Sequence, residues 1–224
     1  MNNRFYTVEG IDGCGKTSAC NFMSKYLTEK KVPHRIVAAY PKDEPSMVLR
    51  NLWISQALPP VAEAAIIIEL RRRQLENVII PALLDGEVVI SDRYHDSTYV
   101  YQNVGRGVSR DLISRMIREQ LRCVEALKYS RNKEKEEVYR QLTEFKTIHL
   151  DVTLENSRRR IDARGNLDAF EKKGDEFFSR LIKGYRVEYS RSVRDGRVDF
   201  IDANQSLDKM YEELTKYFQS ECLF

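Results

Sequence analysis

Three short stretches of the chain carry residue types suited to handling phosphate. The first is Gly10-Ile11-Asp12-Gly13-Cys14-Gly15-Lys16-Thr17, which reads G-x-x-x-x-G-K-T. Backbone N–H groups must converge on phosphate oxygens, and glycines at 10, 13 and 15 clear the side chains that would block them. A helix starting near Lys16 adds free N–H groups and the positive end of its dipole. Lys16 can then reach the β- and γ-phosphates, and the Thr17 hydroxyl can ligate Mg2+. Residues 10–17 are therefore expected to bind a nucleoside triphosphate. Asp12 sits inside this loop, where triphosphate would repel it unless a cation lies between. It reads as a metal or metal-water ligand; the alternative is a turn residue that starts the helix.

The second stretch is Val88-Val89-Ile90-Ser91-Asp92-Arg93-Tyr94. An acid just past a buried apolar strand is the position that orders Mg2+ in P-loop enzymes. On this reading Asp92 holds the metal or its water, and Arg93 holds an incoming phosphate. A local Asp92–Arg93 pair that stabilises the strand end is the alternative. The third stretch is Arg158-Arg159-Arg160 with Arg164. Spacing of four places Arg160 and Arg164 on one side of a helix. They are either cations for a transferring group or a basic face paired with Glu155, Asp162 or Asp168.

The elements around these stretches alternate. Strands are expected at 5–8, 35–40, 88–91, 147–152 and 198–201. Helices are expected at 16–31, 46–57, 61–85, 109–142, 155–164, 167–194 and 206–219, with Gly86 stopping the third. Five strands separated by helices predict an α/β fold with a parallel sheet and right-handed crossovers. Ligands in such sheets sit beyond the carboxyl ends of the strands.

Composition narrows the function. The 224 residues carry 37 Lys+Arg against 34 Asp+Glu, a net charge of +3. A surface that tracks a nucleic-acid backbone is expected to be more basic, so no nucleic-acid partner is expected. Of the 37 basic residues 23 are Arg, whose planar fork matches phosphate, so discrete anion sites are expected instead. The longest apolar run is far short of the ~20 residues a membrane span needs, and the amino end has no signal-like stretch. Cys14, Cys20, Cys123 and Cys222 form no CxxC pair, and His34, His95 and His149 are scattered. A single cytoplasmic domain with reduced thiols is the expectation.

The motifs, taken in order, resemble the thymidylate kinase family. Glu9-Gly10-x-Asp12-Gly13-x-Gly15-Lys16-Thr17 is followed by Asp92-Arg93-Tyr94-x-x-Ser97-Thr98-x-x-Tyr101-Gln102 and Gly105-Arg106-Gly107. Then come Leu150-Asp151-Val152, the segment Ala163-Arg164-Gly165-x-Leu167-Asp168-x-x-Glu171, and Phe200-Ile201-Asp202-Ala203. Glu76-Asn77-Val78-Ile79 with Pro81-Ala82-Leu83 is similar to the bacterial branch. The resemblance covers nearly the whole chain. It implies one nucleoside monophosphate kinase domain over 1–224, in the three-layer P-loop NTPase fold, with a lid at about 155–172. The implied reaction moves the ATP γ-phosphoryl group onto dTMP with Mg2+ as cofactor. The implied assembly is a homodimer. The bacterial type carries its catalytic arginine in the lid and a small residue in the P-loop. Gly13 matches, so Arg164 or Arg160 is implied to act beside Lys16 and Arg93.

The resemblance also implies an acceptor pocket. Its base-reading arginine falls on Arg71 or Arg72, and its stacking aromatic falls on Ile67 or Ile68, both aliphatic here. Tyr40-Pro41-Lys42 resembles the acceptor loop, and Tyr40 is placed to supply an aromatic contact. Asp12 and Arg93 would face the acceptor phosphate, with Lys42 or Arg50 standing in for a second phosphate arginine displaced by Asp43-Glu44. Ser97, Thr98, Tyr101 and Gln102 fall near sugar and base. Tyr101 would crowd a ribose 2′-OH. Phe170 packs either against the nucleotide or in the core. With an aliphatic wall the acceptor could also be dUMP or another pyrimidine deoxynucleotide; a nucleotide-binding module without catalysis is the alternative of another class. The charged segment at about 125–145 reads as a helix extension or a partner surface.

Overall fold

The computed structural model describes residues 4–55, 58–165, 167, 169–192 and 196–221, with the side chains of 191 and 192 excepted. Five parallel strands form one sheet in the order β2-β3-β1-β4-β5: β1 (Phe5–Glu9), β2 (His34–Val37), β3 (Val88–Asp92), β4 (Lys146–Asp151) and β5 (Val198–Asp202). β1, central, is buried at every position, Thr7 and Glu9 included, because helices cover both faces of the sheet. With those helix layers the sheet is the α/β fold of P-loop NTPases.

The helices are α1 (Lys16–Glu29), α2 (Glu44–Ser55), α3 (Pro60–Gln74), α4 (Ile80–Leu84), α5 (His95–Thr98), α6 (Arg110–Gln120), α7 (Arg122–Lys128), α8 (Lys133–Thr143), α9 (Leu154–Arg164), α10 (Asp175–Ser192) and α11 (Leu207–Ser220). A wider, π-type turn at Leu75–Ile79 joins α3 to α4, and another at Tyr99–Gly105 extends α5. Gly86, at φ +80°, ends α4, as its position predicts.

Four expectations are corrected. The second strand stops at Val37, so Ala39 and Tyr40 lie beyond its carboxyl end. The helix expected at 109–142 is three helices. Leu121 interrupts it first, and Asn132 starts a new one by accepting from the N–H groups of Glu134 (2.7 Å) and Lys135 (3.3 Å). The helix expected from 167 begins at Asp175, after a turn that covers 169–173. Residues 95–105, not assigned to any element, are helical. Residues 56 and 57 of the second expected helix, Asp168 of the lid and Cys222 lie outside the described residues.

The charged 125–145 segment folds back on the body. Val138 and Leu142 of α8 are buried in a core with Leu75, Leu83 and Val89, while Lys133 to Glu136 face solvent. It is an amphipathic helix pair with its apolar side covered.

Candidate active site

The carboxyl ends of β1 and β3 open into a cleft of about 690 Å3. One end is lined by Asp12, Gly13, Gly15, Lys16, Thr17, Arg160 and Arg164, and the other by Tyr40, Arg50, Trp53, Ile67, Arg71, Gln102 and Phe170. Asp92, Arg93, Ser97 and Tyr101 also line it.

The phosphate loop is shaped by its glycines. At Gly13, with φ +77°, a Cβ would stand 2.5 Å from the Ser157 carbonyl oxygen of α9. Any side chain at 13 would push α9 off the loop, which gives the small residue a packing reason. Ser157 Oγ reinforces the contact by donating to the Asp12 carbonyl at 2.7 Å. Lys16 Nζ donates to the carbonyls of Ile11 (2.9 Å) and Gly10 (3.2 Å). The side chains of Ile11 and Cys14 are buried, so these two positions present backbone to the loop's surroundings.

Arg93 takes φ +71°, a left-handed conformation rare for a residue with a side chain. Ser91 Oγ fixes it by donating to the Arg93 carbonyl at 2.8 Å. The turn sends the guanidinium back over β1. There it donates to the Gly10 carbonyl (2.9 Å), Ser97 Oγ (3.1 Å), Tyr101 Oη (3.2 Å) and the Asp12 carboxylate. Beneath it lies Glu9, fully buried, accepting from the Tyr94 N–H at 2.6 Å and from Ser97 and Tyr185 hydroxyls. Burial, then the nearby Asp96 carboxylate, push the Glu9 carboxyl above its usual range.

Asp12 has both carboxylate oxygens engaged, one by Arg93 and the other by the Tyr101 hydroxyl at 2.7 Å. Burial pushes its carboxyl up, but Arg93 and Lys16 outweigh that and hold it below the ordinary value. Asp92 differs: its carboxylate lines the cleft and, among the described residues, has no hydrogen bond or ion pair. Asp92 and Thr17 are hard oxygen donors that fit Mg2+. In this arrangement the Asp12 carboxylate braces the Arg93 guanidinium.

The four arginines of α9 divide. Arg158 Nε donates to Asp175 at 2.8 Å and the guanidinium also reaches the carbonyls of Glu171 and Lys173, so it pins the 169–173 turn. Arg159 is exposed and bonds Asn156 at 2.8 Å. Arg160 lies across the phosphate loop, donating to the Ala203 carbonyl at 2.7 Å and toward the carbonyl of Gly13. Arg164 is ion-paired with Glu171. Among the described residues their acidic partners are therefore Glu171 and Asp175, not Glu155 or Asp162.

At the end of the cleft away from the phosphate loop, Arg71 is buried and its Nε and one terminal nitrogen have no partner among the described residues. Burial pulls it down to about 10. Gln102 Nε2 is likewise buried and unpartnered. Arg72, one residue on, turns outward and pairs with Glu69 (2.8 Å) and Glu76 (2.5 Å). Ile67 faces the cleft; Ile68 and Thr98 are buried away from it. Tyr40 lines the cleft with Arg50 stacked 4.9 Å from its ring centroid. Lys42 is exposed outside it. Asp43 caps α2, accepting from Ser46 N–H (3.2 Å) and Oγ (2.7 Å), and pairs with Arg73 at 2.8 Å. Phe170 both lines the cleft and packs in the core.

Several cleft residues had escaped notice in the sequence. Trp53 stands three residues after Arg50 on the same helix face, a spacing that could have marked it. Ala39, Ile54 and Leu207 carried no such signal, and Tyr185 reaches Arg93 (3.3 Å) from a helix far along the chain.

A phosphate loop facing an arginine-rich second half-site across one cleft defines a P-loop phosphotransferase. The family model for thymidylate kinase matches residues 8–145. A relative from Nitrosospira multiformis described as thymidylate kinase is 33% identical over 96% of this chain and 97% of its own length. Relatives of the same description from Carboxydothermus hydrogenoformans (29% identical, 98% of each chain) and Teredinibacter turnerae (30%, 98% and 99%) are similar along their full lengths. The chain belongs to the thymidylate kinase family and is a kinase.

Proposed function

We propose that this enzyme transfers the γ-phosphoryl group of ATP to dTMP, giving dTDP. What carries the reading is the two-ended cleft. Lys16 and Thr17 stand at one end, Arg93 between, and the unpartnered buried donors of Arg71 and Gln102 at the other. Buried donors without partners are costly unless a ligand satisfies them, and a thymine base offers carbonyl acceptors.

The acceptor phosphate, with a second pKa of about 6, already carries its nucleophilic oxygen ionised at pH 7, so little general-base work is required. The barrier lies in bringing two anions together. Lys16 meets the donor phosphates, and Arg93, held by Asp12 and Tyr101, meets the acceptor phosphate. Arg50 supplies a second cation from α2. Arg160 and Arg164 add charge over the transferring group, and the lid turn excludes water. Thr17 and Asp92 would hold Mg2+, which when bound neutralises charge between phosphate oxygens. Tyr101 lines the cleft beside Arg93, and on this reading it would crowd a ribose 2′-OH, favouring deoxynucleotides.

Val48, Leu52 and Val61 are exposed apolar residues on α2 and the start of α3, and they support a homodimer through this face, with sedimentation at micromolar concentration as its check. Among the described residues no helix is long and apolar enough to cross a membrane. A cytoplasmic enzyme without a nucleic-acid partner fits both that and the small net charge.

Coupled ADP release with dTMP, dUMP, dCMP and dGMP tests the substrate. The fastest turnover is expected with dTMP. One methyl group is worth ~1–3 kcal/mol, so dUMP should be slower by roughly 10–200-fold in kcat/KM. Faster turnover of dUMP would replace the substrate, and no turnover of any would remove the reading.

A further inference from the structure

Trp53 is the one tryptophan of the chain, and nothing above uses it beyond its place in the cleft wall. It stands on α2, on the acceptor side. Its indole nevertheless meets Phe170 of the lid turn, ring centroids 5.4 Å apart and tilted by 41°. It packs against both the core beneath the phosphate loop and the core between α3 and α6. Its Nε1 is buried with no partner among the described residues, so packing rather than a hydrogen bond holds the ring.

Phe170 leads directly to the lid cations. The next residue, Glu171, is 4% exposed and holds Arg164. Arg158 ties the same turn down through the carbonyls of Glu171 (2.9 Å) and Lys173. One short turn thus presents an aromatic ring to the acceptor wall and a carboxylate to Arg164.

We propose that Trp53 is a positioning residue, coupling the acceptor side of the cleft to Arg164 through Phe170 and Glu171. The proposal rests on the kinase reading, in which the position of a lid cation sets the rate. It requires no contact between Trp53 and the reacting atoms. A wall residue that merely fills space would act on acceptor binding alone and independently of Glu171.

Two measurements test it. The first compares Trp53→Leu, Glu171→Gln and the double variant, all checked for fold by circular dichroism. Trp53→Leu is expected to lower kcat on the order of tenfold, within the ~10²-fold that a 1 Å misplacement can cost. The double variant should be no slower than the slower single variant, and Trp53→Phe should restore most of the rate. Multiplying losses, or a change confined to acceptor KM, would overturn the coupling. The second measurement follows Trp53 fluorescence as a nonhydrolysable ATP analogue binds at the opposite end of the cleft. The emission should shift in the wild type and not in Glu171→Gln, with calorimetry showing that the analogue binds both. No shift in the wild type, or an equal shift in the variant, refutes the coupling. A wild type inactive on every monophosphate would instead remove the kinase reading, and the fluorescence arm would still decide this inference.

Discussion

Arg71 and Arg72 are adjacent, equally charged and of the same helix, yet their environments are opposite. Arg71 is 4% exposed, with two guanidinium nitrogens unsatisfied at the cleft wall. Arg72 is 37% exposed and spends its donors on Glu69 and Glu76. Exposed ion pairs of that kind contribute about 0–1 kcal/mol. Arg71→Met should therefore raise the acceptor KM strongly, because a charge-assisted hydrogen bond to the base is lost, worth ~1.5–3 kcal/mol. ATP affinity should stay near wild type. Arg72→Met should leave both constants nearly unchanged. Steady-state kinetics with each substrate varied in turn decides the pair, and equal effects of the two substitutions would reverse the assignment. The family resemblance implied one of these two arginines without choosing. The rotation of α3 about its axis, which packing sets, turns Arg71 to the cleft and Arg72 away from it.

Elements carry the residues, so loosening an element should act on one substrate and spare the other. α2 brings Arg50 and Trp53 to the cleft, and Asp43 fixes its start through Ser46 and Arg73. Asp43→Ala is expected to raise the acceptor KM several-fold while the ATP KM holds, and Asp43→Asn, which keeps a capping oxygen, should fall between. Equal changes in both KM values would mean that α2 does not serve the acceptor half alone. The acids after Lys42 look out of place in a phosphate-binding loop until the helix they start is seen. Elsewhere the elements were legible where one signal dominated. β3 opens with the apolar run Val88–Ile90, and the glycine loop is a pattern that few other structures need. The long 109–142 helix was misread because helical periodicity continues across Leu121 and Asn132, where capping and packing break it. The 95–105 segment has no apolar stripe of its own, since both its sides are buried. The Trp53–Phe170 contact joins positions more than a hundred residues apart, which no local pattern marks.

At the scale of the whole molecule the charged site is built over a sheet that tolerates little charge, and that conflict should be visible in stability against pH. His149 of β4 is 3% exposed, enclosed by the rings of Tyr185 (5.0 Å), Tyr189 (5.1 Å) and Phe200 (5.0 Å). Burial, helped by the positive charges of Lys16 and Arg186, pushes its imidazole down to about 3. It is therefore neutral when folded, and its 4.0 Å approach to Asp151 is no ion pair at pH 7. The unfolded chain protonates near the ordinary 6.5. Between those two values the unfolded state binds a proton that the folded state refuses, so stability falls as pH drops from 6.5 toward 3. From pH 7.5 to pH 5 this histidine alone should remove about 2 kcal/mol. His95, also buried and pushed down, acts in the same direction. Glu9 and Asp96, pushed up by burial, act in the opposite one. All three remain in His149→Phe, a variant whose ring suits the aromatic surroundings, and their effects cancel in the comparison. Urea unfolding of both proteins at the two pH values isolates the term. The wild type should lose about 2 kcal/mol more than the variant on acidification, and equal losses would mean that His149 takes up its proton without unfolding the sheet around it.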